Sequence, residues 1–569
     1  MPSDRPWTAH YDKEVPASIQ YPEMPLFQFL EDSARKFPDR ACTILKGVAI
    51  SFRQMSELTE QIASALIDMG VKKGDRVGIF MPNTPQFVMA FYAILKAGAV
   101  VVATNPLYTA PEIAHQVNDA GVELMFTMEG QYPAIKGGRP GTRIRKLIVA
   151  TPEDGSRVPI ASQSMEKADT AAGSPLTLSG GDIRLGDLLA GYRAAPRPVV
   201  TVGPDDVALF QYSGGTTGTS KAAVATHRGV VANTVQFRTW LWSLQEGREV
   251  LLLAIPLYHA YGMIAGMSLG VSLGATLALV PDPREFSDLL EIVNTHHPTV
   301  FPAVPSLYNA LNNHPEVKSG RVDLRSIRVC ISGSTALLRE TKERFEELSG
   351  GSICEGYGLS EAPVVTHCNP LHGTNKIGSI GMPMPDVDCR VVDPEDERTE
   401  VAAGQPGELL IRGPQLMKGY HNLPEETANS LRRLADGHTW LYTGDIVRMD
   451  EDGYFFIVDR KKELIKPGGF QVWPREVEEV IASNPKVLEV GVAGVPDPDR
   501  GEAVMAWIVL KPGQSAAPLE IQDWCRGRLA PYKTPTRIEF RSELPKTNVG
   551  KVLRRELVRQ HLQADTSGH

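Results

Sequence analysis

The sequence is poor in cysteine, and the spacing of its cysteines gives no sign of pairing. Only 6 of the 569 residues are cysteine, and they are scattered without any CxxC motif. Dispersed thiols are typical of a reducing compartment, and the spacing argues against both a disulfide framework and a zinc site. We therefore expect free thiols and a cytoplasmic protein. The six positions are Cys42, Cys330, Cys354, Cys368, Cys389 and Cys525.

The sequence also lacks a basic excess and an N-terminal targeting segment. Lys and Arg total 59 against 67 Asp and Glu, which gives a formal net charge of −8. A dedicated nucleic-acid-binding protein shows the opposite balance, so we expect no nucleic-acid partner. The first residues contain no basic stretch followed by an apolar one, and this predicts no signal peptide.

One long segment lacks charge altogether. Residues 250–281 contain no Asp, Glu, Lys or Arg, and glycine recurs there at every fourth position from Gly262 to Gly274. Such a ridge of small residues also occurs in membrane helices. The segment nevertheless contains Pro256 and His259, and it stands alone in the middle of the chain. We therefore expect a buried helix and no transmembrane span, with the glycines allowing close approach to a neighbouring backbone.

Alternating strand and helix patterns predict an α/β fold. Apolar residues at helical spacing end at Gly70, and they are followed by a predicted strand at 76–81, a helix at 85–97 and a strand at 99–103. This order is a β-α-β unit, which implies parallel strands. Similar patterns predict strands at 147–149 and 327–331 and a helix at 338–348. Residues 129–204 are rich in Gly, Ser, Pro and charge, and they predict an irregular insertion.

The pattern changes after residue 380. Short strands at 388–392, 407–411 and 454–458, separated by Gly, Pro and Asp, predict a small β-rich unit. Beyond residue 459, the sequence predicts a compact α+β module of about a hundred residues, which is a typical domain size. Its predicted elements are a helix at 474–483, strands at 489–492 and 504–510, and a helix at 519–529.

The chemically most informative segment is residues 212–221 (YSGGTTGTSK), which follow a short apolar run. Glycines let backbone N–H groups converge on an anion, hydroxyls add donors, and lysine adds positive charge. This composition suits a polyphosphate, although it also occurs in surface loops. The segment is not a Walker A loop, because Lys221 is followed by Ala222 rather than by Ser or Thr.

The segment resembles the phosphate-binding signature of the adenylate-forming enzymes, namely acyl-CoA synthetases, luciferases and nonribosomal adenylation domains. Other family signatures follow in the family's order over nearly the whole chain. They are 256–259 (PLYH), 355–361 (EGYGLSE), 442–445 (YTGD), 459–466 (DRKKELIK) with Gly468, Gly469 and Pro474, and 545–551 (PKTNVGK). Ser220, Ala222 and Ser360 depart from the commoner Pro, Gly and Thr without removing a charged group.

The resemblance implies a role for each matching residue. It assigns phosphate contacts to Ser213, Gly214, Gly215, Thr216, Thr217, Gly218 and Lys221, and a magnesium ion to Glu361 and Thr216. Tyr357 would stack on adenine, Asp445 would bind the ribose with help from Arg460, and Lys551 would contact the α-phosphate and the substrate carboxylate. His259 would border the acyl and nucleotide sites. The remaining nucleotide-site and cofactor-site candidates are Gly333, Ser334, Glu355, Gly356, Gly358, Ser360, Ile457, Lys462, Lys466, Gly468 and Gly469.

Single residues of this set have plainer interpretations. Asp445 after Gly444 is also typical of a turn, His259 of a core histidine, and Lys551 of a surface lysine. Only the ordered occurrence of all the motifs favours the functional interpretation.

The family also implies an architecture and a reaction. We expect a large N-terminal domain (1–459) with two parallel-type sheets and a small β-barrel, and a small mobile C-terminal α+β domain (460–569) hinged at Lys462. The implied reaction joins a carboxylate to coenzyme A with ATP and Mg²⁺. Gly469 would line the tunnel for the CoA arm. Homodimer formation and contact with the inner face of a membrane stay open.

The acid is expected to be a medium- or long-chain fatty acid. Residues 440–445 (WLYTGD) and 454–462 resemble the signature of bacterial long-chain fatty acid–CoA ligases, and residues 258–267 contain no Asp to hold an amino group. An acyl tunnel bordered by 259–267 is therefore expected, with Gly266 either lining it or facing a neighbouring helix. An aryl-acid CoA ligase and an acyl-AMP ligase that loads a carrier protein remain alternatives, whereas a non-enzymatic lipid-binding scaffold is disfavoured by the intact motifs.

Overall fold

The computed structural model describes residues 5–156, 176–193, 199–212, 220–498, 500–547 and 551–567. Its strands are β1 (Ala41–Leu45), β2 (Val48–Ser51), β3 (Arg76–Phe80), β4 (Val100–Ala103), β5 (Leu124–Met128), β6 (Lys146–Ala150), β7 (Ile183–Arg184), β8 (Val207–Tyr212), β9 (Ala222–Thr226), β10 (Val250–Leu253), β11 (Thr276–Leu279), β12 (Val300–Ala303), β13 (Val329–Ser332), β14 (Ser352–Gly358), β15 (Val365–Cys368), β16 (Met382–Pro383), β17 (Asp388–Val392), β18 (Gly407–Arg412), β19 (Leu431–Arg433), β20 (Thr439–Met449), β21 (Phe455–Arg460), β22 (Val487–Asp497), β23 (Gly501–Leu510) and β24 (Arg537–Phe540).

Helices connect these strands throughout the chain. They are α1 (Gln28–Lys36), α2 (Phe52–Asp68), α3 (Pro85–Lys96), α4 (Ala110–Ala120), α5 (Tyr132–Gly138), α6 (Leu185–Gly191), α7 (His227–Trp240), α8 (Leu269–Ser272), α9 (Phe286–His296), α10 (Pro305–Asn313), α11 (Pro315–Lys318), α12 (Arg339–Ser349), α13 (Pro424–Ser430), α14 (Pro474–Ala482), α15 (Pro518–Arg526) and α16 (Arg554–Ser567). Short 3₁₀ turns lie at Pro6–His10, Lys461–Glu463, Pro467–Gly469 and Pro531–Lys533, and Tyr261–Ser268 is a π-helix.

Two large sheets confirm the predicted α/β fold. The seven-stranded sheet has the order β7-β6-β5-β3-β4-β8-β9, and the nine-stranded sheet has the order β16-β15-β14-β13-β12-β10-β11-β1-β2. The interior pairs are parallel, and antiparallel pairs occur only toward the edges, at β8–β9, β1–β2, β14–β15 and β15–β16. The predicted β-α-β unit is present, because β3 and β4 pair in parallel and α3 connects them.

Local sequence signals set the ends of these helices. At the start of α2, the Ser51 hydroxyl accepts the Gln54 N–H at 3.2 Å, and the Gln54 side chain accepts the Ser51 N–H at 2.8 Å. This reciprocal capping box satisfies two N–H groups that have no partner within the helix. The helix ends before Gly70, whose φ of +91° suits glycine.

The uncharged segment differs from its prediction. It is not one helix but strand β10, the π-helix with α8, and strand β11. A run of apolar residues cannot by itself distinguish a buried strand from a buried helix. The glycines do allow close packing, because a Cβ on Gly262 would lie 2.2 Å from the carbonyl oxygen of Pro256. Gly266 faces Leu253 of β10, because a Cβ there would lie 3.0 Å from that side chain.

The predicted irregular insertion at 129–204 is also corrected in part. Residues 146–150 form β6 inside the seven-stranded sheet, with Leu147 to Ala150 fully buried, and Tyr132 and Ile135 of α5 are buried as well. This strand confirms the prediction of a strand at 147–149, which lies inside the segment otherwise predicted as irregular. No described helix combines the length and apolar character needed to cross a bilayer.

The later part of the chain forms two smaller units. Strands β17-β18-β20-β19, with β21 paired to β20, make an antiparallel sheet at the expected β-rich position, in an open order rather than a closed barrel. Residues beyond the Lys461–Glu463 turn form the predicted α+β module, in which α14, α15 and α16 accompany the three-stranded sheet β22-β23-β24. This module has its own apolar core around Val477, Val492 and Ile508.

Candidate functional site

The candidate site begins at the carboxyl ends of two neighbouring parallel strands, β13 and β14. In open α/β sheets this edge is where ligands bind. Gly333 and Ser334 follow β13 directly, and Ser334 adopts a φ of +78°, a conformation uncommon outside glycine. A Cβ on Gly333 would lie 3.4 Å from the ring of Tyr261. The chain after β13 is therefore shaped by close packing at this edge.

The centre of the site is a triad of tyrosine, aspartate and arginine, in which the aspartate is buried and the other two residues are half-buried. Tyr357, near the end of β14, donates a hydrogen bond of 2.5 Å to Asp445, and Arg460 forms an ion pair with Asp445 at 2.8 Å. Asp445 and Arg460 are opposite each other on β20 and β21, so strand register brings them together. Burial and the charge of Asp445 raise the pKa of Tyr357 well above its usual value, so the phenol stays neutral.

Close backbone packing explains one of the glycines beside this triad. A Cβ on Gly358 would lie 1.6 Å from the carbonyl oxygen of Val364, so no other residue fits there. Asn233 of α7 fixes the backbone at the start of β15. Its side chain accepts the Val364 N–H at 2.7 Å and donates to the Val365 carbonyl at 2.6 Å. Asn233 was not predicted, because a buried amide within a helix has no distinctive sequence pattern.

Glu355 belongs to the framework of the site. Its carboxylate accepts hydrogen bonds from the backbone N–H groups of Gly378 at 2.9 Å and Leu337 at 3.4 Å. Burial raises the pKa of this carboxyl. Its side chain therefore holds two loops against β14, while the neighbouring Gly356 packs against the backbone of His367.

A second cluster contains Lys221 and Glu361, two of the residues predicted to handle phosphate and metal. Glu361 accepts a 2.7 Å hydrogen bond from Tyr420, and the Lys221 ammonium lies 2.6 Å from Glu426 and 5.6 Å from the Tyr420 ring centre. Tyr420 was not predicted, although its position after Gly419, whose carbonyl accepts the Val224 N–H, fixes it beside β9. Six predicted phosphate-loop residues lie outside the described residues: Ser213, Gly214, Gly215, Thr216, Thr217 and Gly218.

Glu361 fits a magnesium ion in its chemistry. One of its carboxylate oxygens is held by the Tyr420 hydroxyl, and Mg²⁺ prefers one or two carboxylates completed by substrate phosphates and water. The described residues contain no group of three His, Cys, Asp or Glu side chains suited to a metal on its own. A site that depends on the substrate for its remaining ligands agrees with both observations.

His259 lies at the start of the π-helix, and a π-helix often marks a functional position. Its Nδ1 accepts the Tyr261 N–H at 3.3 Å, and burial lowers the pKa of the imidazole to about 4. The ring is therefore neutral near pH 7, with its proton on Nε2. The Tyr261 hydroxyl donates to the carbonyl oxygen of Ile331 at 2.8 Å, which ties this helix to β13.

The C-terminal lysine lies within electrostatic range of the triad. Burial and the nearby cations Arg460 and Arg554 together lower the pKa of Lys551 to about 8, although the carboxylates of Glu463 and Asp445 oppose this shift. Lys551 is thus electrostatically coupled to both charged members of the triad. The Thr547 N–H donates to the Lys551 carbonyl at 2.8 Å, and the Lys551 N–H donates to the Thr547 hydroxyl at 3.1 Å.

Of the other predicted residues, Lys462 lies within electrostatic range of Arg460 and Asp445, whereas Lys466 and Gly468 contact the C-terminal module. The N–H of Lys466 bonds to Glu502 at 2.6 Å, and the N–H of Gly468 bonds to the Arg500 carbonyl at 2.9 Å, so this turn packs on the β22–β23 hairpin. Gly468 has a φ of +58°. The remaining predicted positions are Gly469 in the same turn, Ser360 in the turn after β14, Ile457 on β21 and Lys462 in the 3₁₀ turn after β21, whose pKa is lowered by burial.

Comparisons with known proteins bear on both parts of the chain. Residues 30–421 match the family model described as AMP-binding enzyme, and residues 476–551 match the one described as AMP-binding enzyme C-terminal domain. A long-chain-fatty-acid–CoA ligase of Bacillus subtilis (strain 168) is 40% identical over 575 residues, covering 100% of both chains. One from Escherichia coli O157:H7 is 36% identical over 97% of both. The solved structure of ATP-bound MatB from Rhodopseudomonas palustris is 27% identical with a TM-score of 0.81, covering 95% of this chain and 99% of that one.

Proposed function

Because this chain belongs to the AMP-binding, or adenylate-forming, enzyme family, we propose that it is an ATP-dependent long-chain fatty acid–CoA ligase. The observation that carries the proposal is the Tyr357–Asp445–Arg460 triad with Lys551 beside it, on a chain whose full-length relatives carry that name. Aryl-acid CoA ligation is the weaker alternative, because the relatives at 36–40% identity are named for long-chain fatty acids.

The proposed reaction needs two steps for a chemical reason. A thiol cannot displace oxide from a carboxylate, so the carboxylate first attacks the α-phosphorus of ATP. The bond from that phosphorus to the bridging oxygen of pyrophosphate breaks, and an acyl-AMP anhydride forms. The CoA thiol then attacks the acyl carbon, AMP leaves with the bonding electron pair, and the thiol proton is lost to solvent. The first step brings two anions together, so positive charge must be fixed in the site.

The proposed roles follow from the contacts of each residue. Asp445, which already accepts the Tyr357 hydroxyl, would accept the ribose hydroxyls, and the Tyr357 ring would stack on adenine. Lys551 would stabilise the charge that develops between carboxylate and α-phosphate. Lys221 would contact the outer phosphates together with the loop 213–218. The neutral His259 would separate the acyl chain from the nucleotide without adding charge.

A magnesium ion held by Glu361, with Thr216 as a second ligand, would neutralise charge on the phosphates. The Glu361 carboxylate is oriented by Tyr420, so this residue pair is the proposed protein side of that site.

Coenzyme A would enter from the C-terminal module. We propose a boundary at 459/460 and a hinge at Lys462, in the 3₁₀ turn that follows β21. Turning the module about this residue would withdraw Lys551 and bring the turn with Lys466, Gly468 and Gly469 toward the triad. One active site would then serve both steps in turn.

The experiment that tests the proposed function is an acid panel. Each methylene that is buried contributes about 0.8 kcal/mol, so kcat/KM should rise with chain length from acetate until the acyl site is full. AMP release and acyl-CoA formation are measured across saturated acids from acetate to stearate, with benzoate and cinnamate alongside. A maximum at acetate or at an aromatic acid would contradict the fatty-acid proposal, and AMP release without free acyl-CoA would favour loading of a carrier protein.

Removal of the Asp445 carboxylate should weaken the binding of ATP selectively. A charge-assisted hydrogen bond contributes about 1.5–3 kcal/mol, so Asp445→Ala should raise the KM for ATP by about 10- to 100-fold. The KM for the fatty acid should change little, because the carboxylate contacts Tyr357 and Arg460 on the nucleotide side. Glu451→Ala, at an exposed position in the nearby β20–β21 turn, is the matched control. An unchanged KM for ATP would reject the ribose assignment.

A further inference from the structure

A cluster of four buried or half-buried charged residues connects the end of β21 to three later parts of the chain. We call it the Arg554 cluster, and its members are Asp459, Glu463, Glu478 and Arg554. The Arg554 guanidinium contacts Asp459 at 3.0 Å, binds Glu478 through two hydrogen bonds of 2.9 and 2.6 Å, and also pairs with Glu463. The Asp459 side chain is only 2% exposed and that of Arg554 15%, so solvent screens these contacts weakly.

The cluster spans the proposed hinge. Asp459 lies before Lys462 in β21, whereas Glu463, Glu478 and Arg554 lie after it. The bidentate Arg554–Glu478 pair joins α16 to α14 within the C-terminal module, so it can move with that module. The contact between Arg554 and Asp459 cannot move with the module, because Asp459 lies before the proposed hinge. The second carboxylate oxygen of Asp459 accepts the Arg475 N–H at the start of α14 at 2.6 Å, so both oxygens bond to the module.

Arg554 is also close to Lys551 in the chain. Only Val552 and Leu553 separate them, and both are anchored: Val552 bridges to Lys546, and the Leu553 N–H bonds to the Pro545 carbonyl at 2.8 Å. A displacement of Arg554 would therefore also displace Lys551, because the backbone of the two residues between them is held in place. The Asp459 side chain, which binds Arg554 to β21, therefore also helps to fix the position of Lys551 relative to Asp445 and Arg460.

We propose that Arg554 is a positioning residue for the first half-reaction: its contact with Asp459 holds Lys551 at the triad and opens when the C-terminal module turns about Lys462. The inference rests on the proposed function and names a residue that neither the sequence motifs nor the triad contains. Arg554 acts through Lys551 and touches no reacting atom.

Charge supports this role. Burial alone would lower the pKa of Arg554, but the carboxylates of Glu478, Asp459 and Glu463 together raise it above its ordinary value. The guanidinium is therefore charged at every pH at which the enzyme works. It compensates three carboxylates at once, and a planar fork with five N–H donors is suited to that task where lysine is not.

The test compares Arg554→Met with Arg555→Met in the full-length protein. Arg555 is the exposed neighbour on α16, so its replacement should leave both half-reactions unchanged. The first half-reaction is measured as pyrophosphate exchange with ATP and palmitate, and the second as palmitoyl-CoA formation from supplied palmitoyl-AMP. We expect Arg554→Met to slow the first by about 100-fold, the cost of misplacing a reacting group by about 1 Å. The second should stay near the wild-type rate.

Asp459→Asn provides a second and gentler variant. It removes the charge that attracts Arg554 across Lys462 and keeps an oxygen that accepts the Arg475 N–H. We expect the same selective loss of pyrophosphate exchange, and Arg554→Lys should recover part of the loss caused by Arg554→Met. If Arg554→Met does not fold, pyrophosphate exchange by Asp459→Asn and Arg554→Lys tests the proposal instead.

Two results would overturn the inference. One is an equal loss of both half-reactions in a folded variant, which a merely structural role would produce. The other is unchanged exchange in Asp459→Asn. Failure of the proposed function is distinguishable from either, because the wild-type protein itself would then show no pyrophosphate exchange with any acid of the panel.

Discussion

Lys551→Ala is expected to lose most of its acyl-adenylate formation while keeping thioester formation from supplied acyl-AMP. The lysine charge matters when the carboxylate and the α-phosphate approach each other, and that encounter belongs to the first step only. Removal of one preorganised electrostatic contact typically costs about 100- to 1000-fold in kcat. Pyrophosphate exchange measures the first step, and stopped-flow mixing of acyl-AMP with CoA measures the second.

A control variant and the pH dependence of kcat/KM make the prediction for Lys551 more specific. Lys511→Ala removes an exposed lysine from the turn after β23 and should alter neither step. Because burial lowers the pKa of Lys551 to about 8, the ammonium form is present below that pH and is lost above it. The kcat/KM of adenylation, which reports the free enzyme, should therefore fall as the pH rises through about 8. Equal losses in both steps would show that the role of Lys551 is misassigned.

The residues of the candidate triad could be predicted from the sequence because their motifs are local. Tyr357 lies between two glycines, Asp445 follows one, and Arg460 lies in a charged run, so each could be identified before its partners were known. The structure brings these three together through the end of β14 and the register of β20 with β21. The β-α-β order likewise predicted parallel strands without any knowledge of which sheet they join.

The partners of those residues could not be predicted, because burial and distance along the chain decide them. Tyr420 lies 59 residues from Glu361, and Asn233 lies 131 residues from the backbone of Val364. Neither residue type is distinctive, and only the packed fold shows that a hydroxyl or an amide meets an otherwise unpaired polar group there. Arg554 is similar, since all four of its hydrogen bonds to carboxylates join residues that are at least 76 positions apart in sequence.

The same limit explains the errors in the uncharged segment. Strands β10 and β11 and the π-helix between them are all apolar and buried, so periodicity does not separate them. The direction in which Gly266 faces depends on the position of β10, which no local pattern reveals. A larger residue there would meet the side chain of Leu253.

Lys462→Pro is expected to have the opposite effect from Lys551→Ala. Proline fixes φ near −65°, which lies within the range of the 3₁₀ turn at Lys461–Glu463, so the arrangement with Lys551 at the triad is retained. Turning the module requires new backbone angles at the hinge, and forcing proline into them costs about 3 kcal/mol, or about 100-fold in rate.

We therefore expect near-normal pyrophosphate exchange and a thioester step slowed by about 100-fold. Lys462→Ala is the matched comparison, because it also removes the ammonium but leaves the backbone angles of residue 462 unrestricted, so its thioester step should be faster than that of the proline variant. The two half-reactions are measured on the same preparation. A proline variant that forms thioester at the wild-type rate would place the hinge at another residue. If both steps failed, the substitution would have disturbed the turn itself, and the Lys551 and Arg554 variants would then decide whether the module has to move.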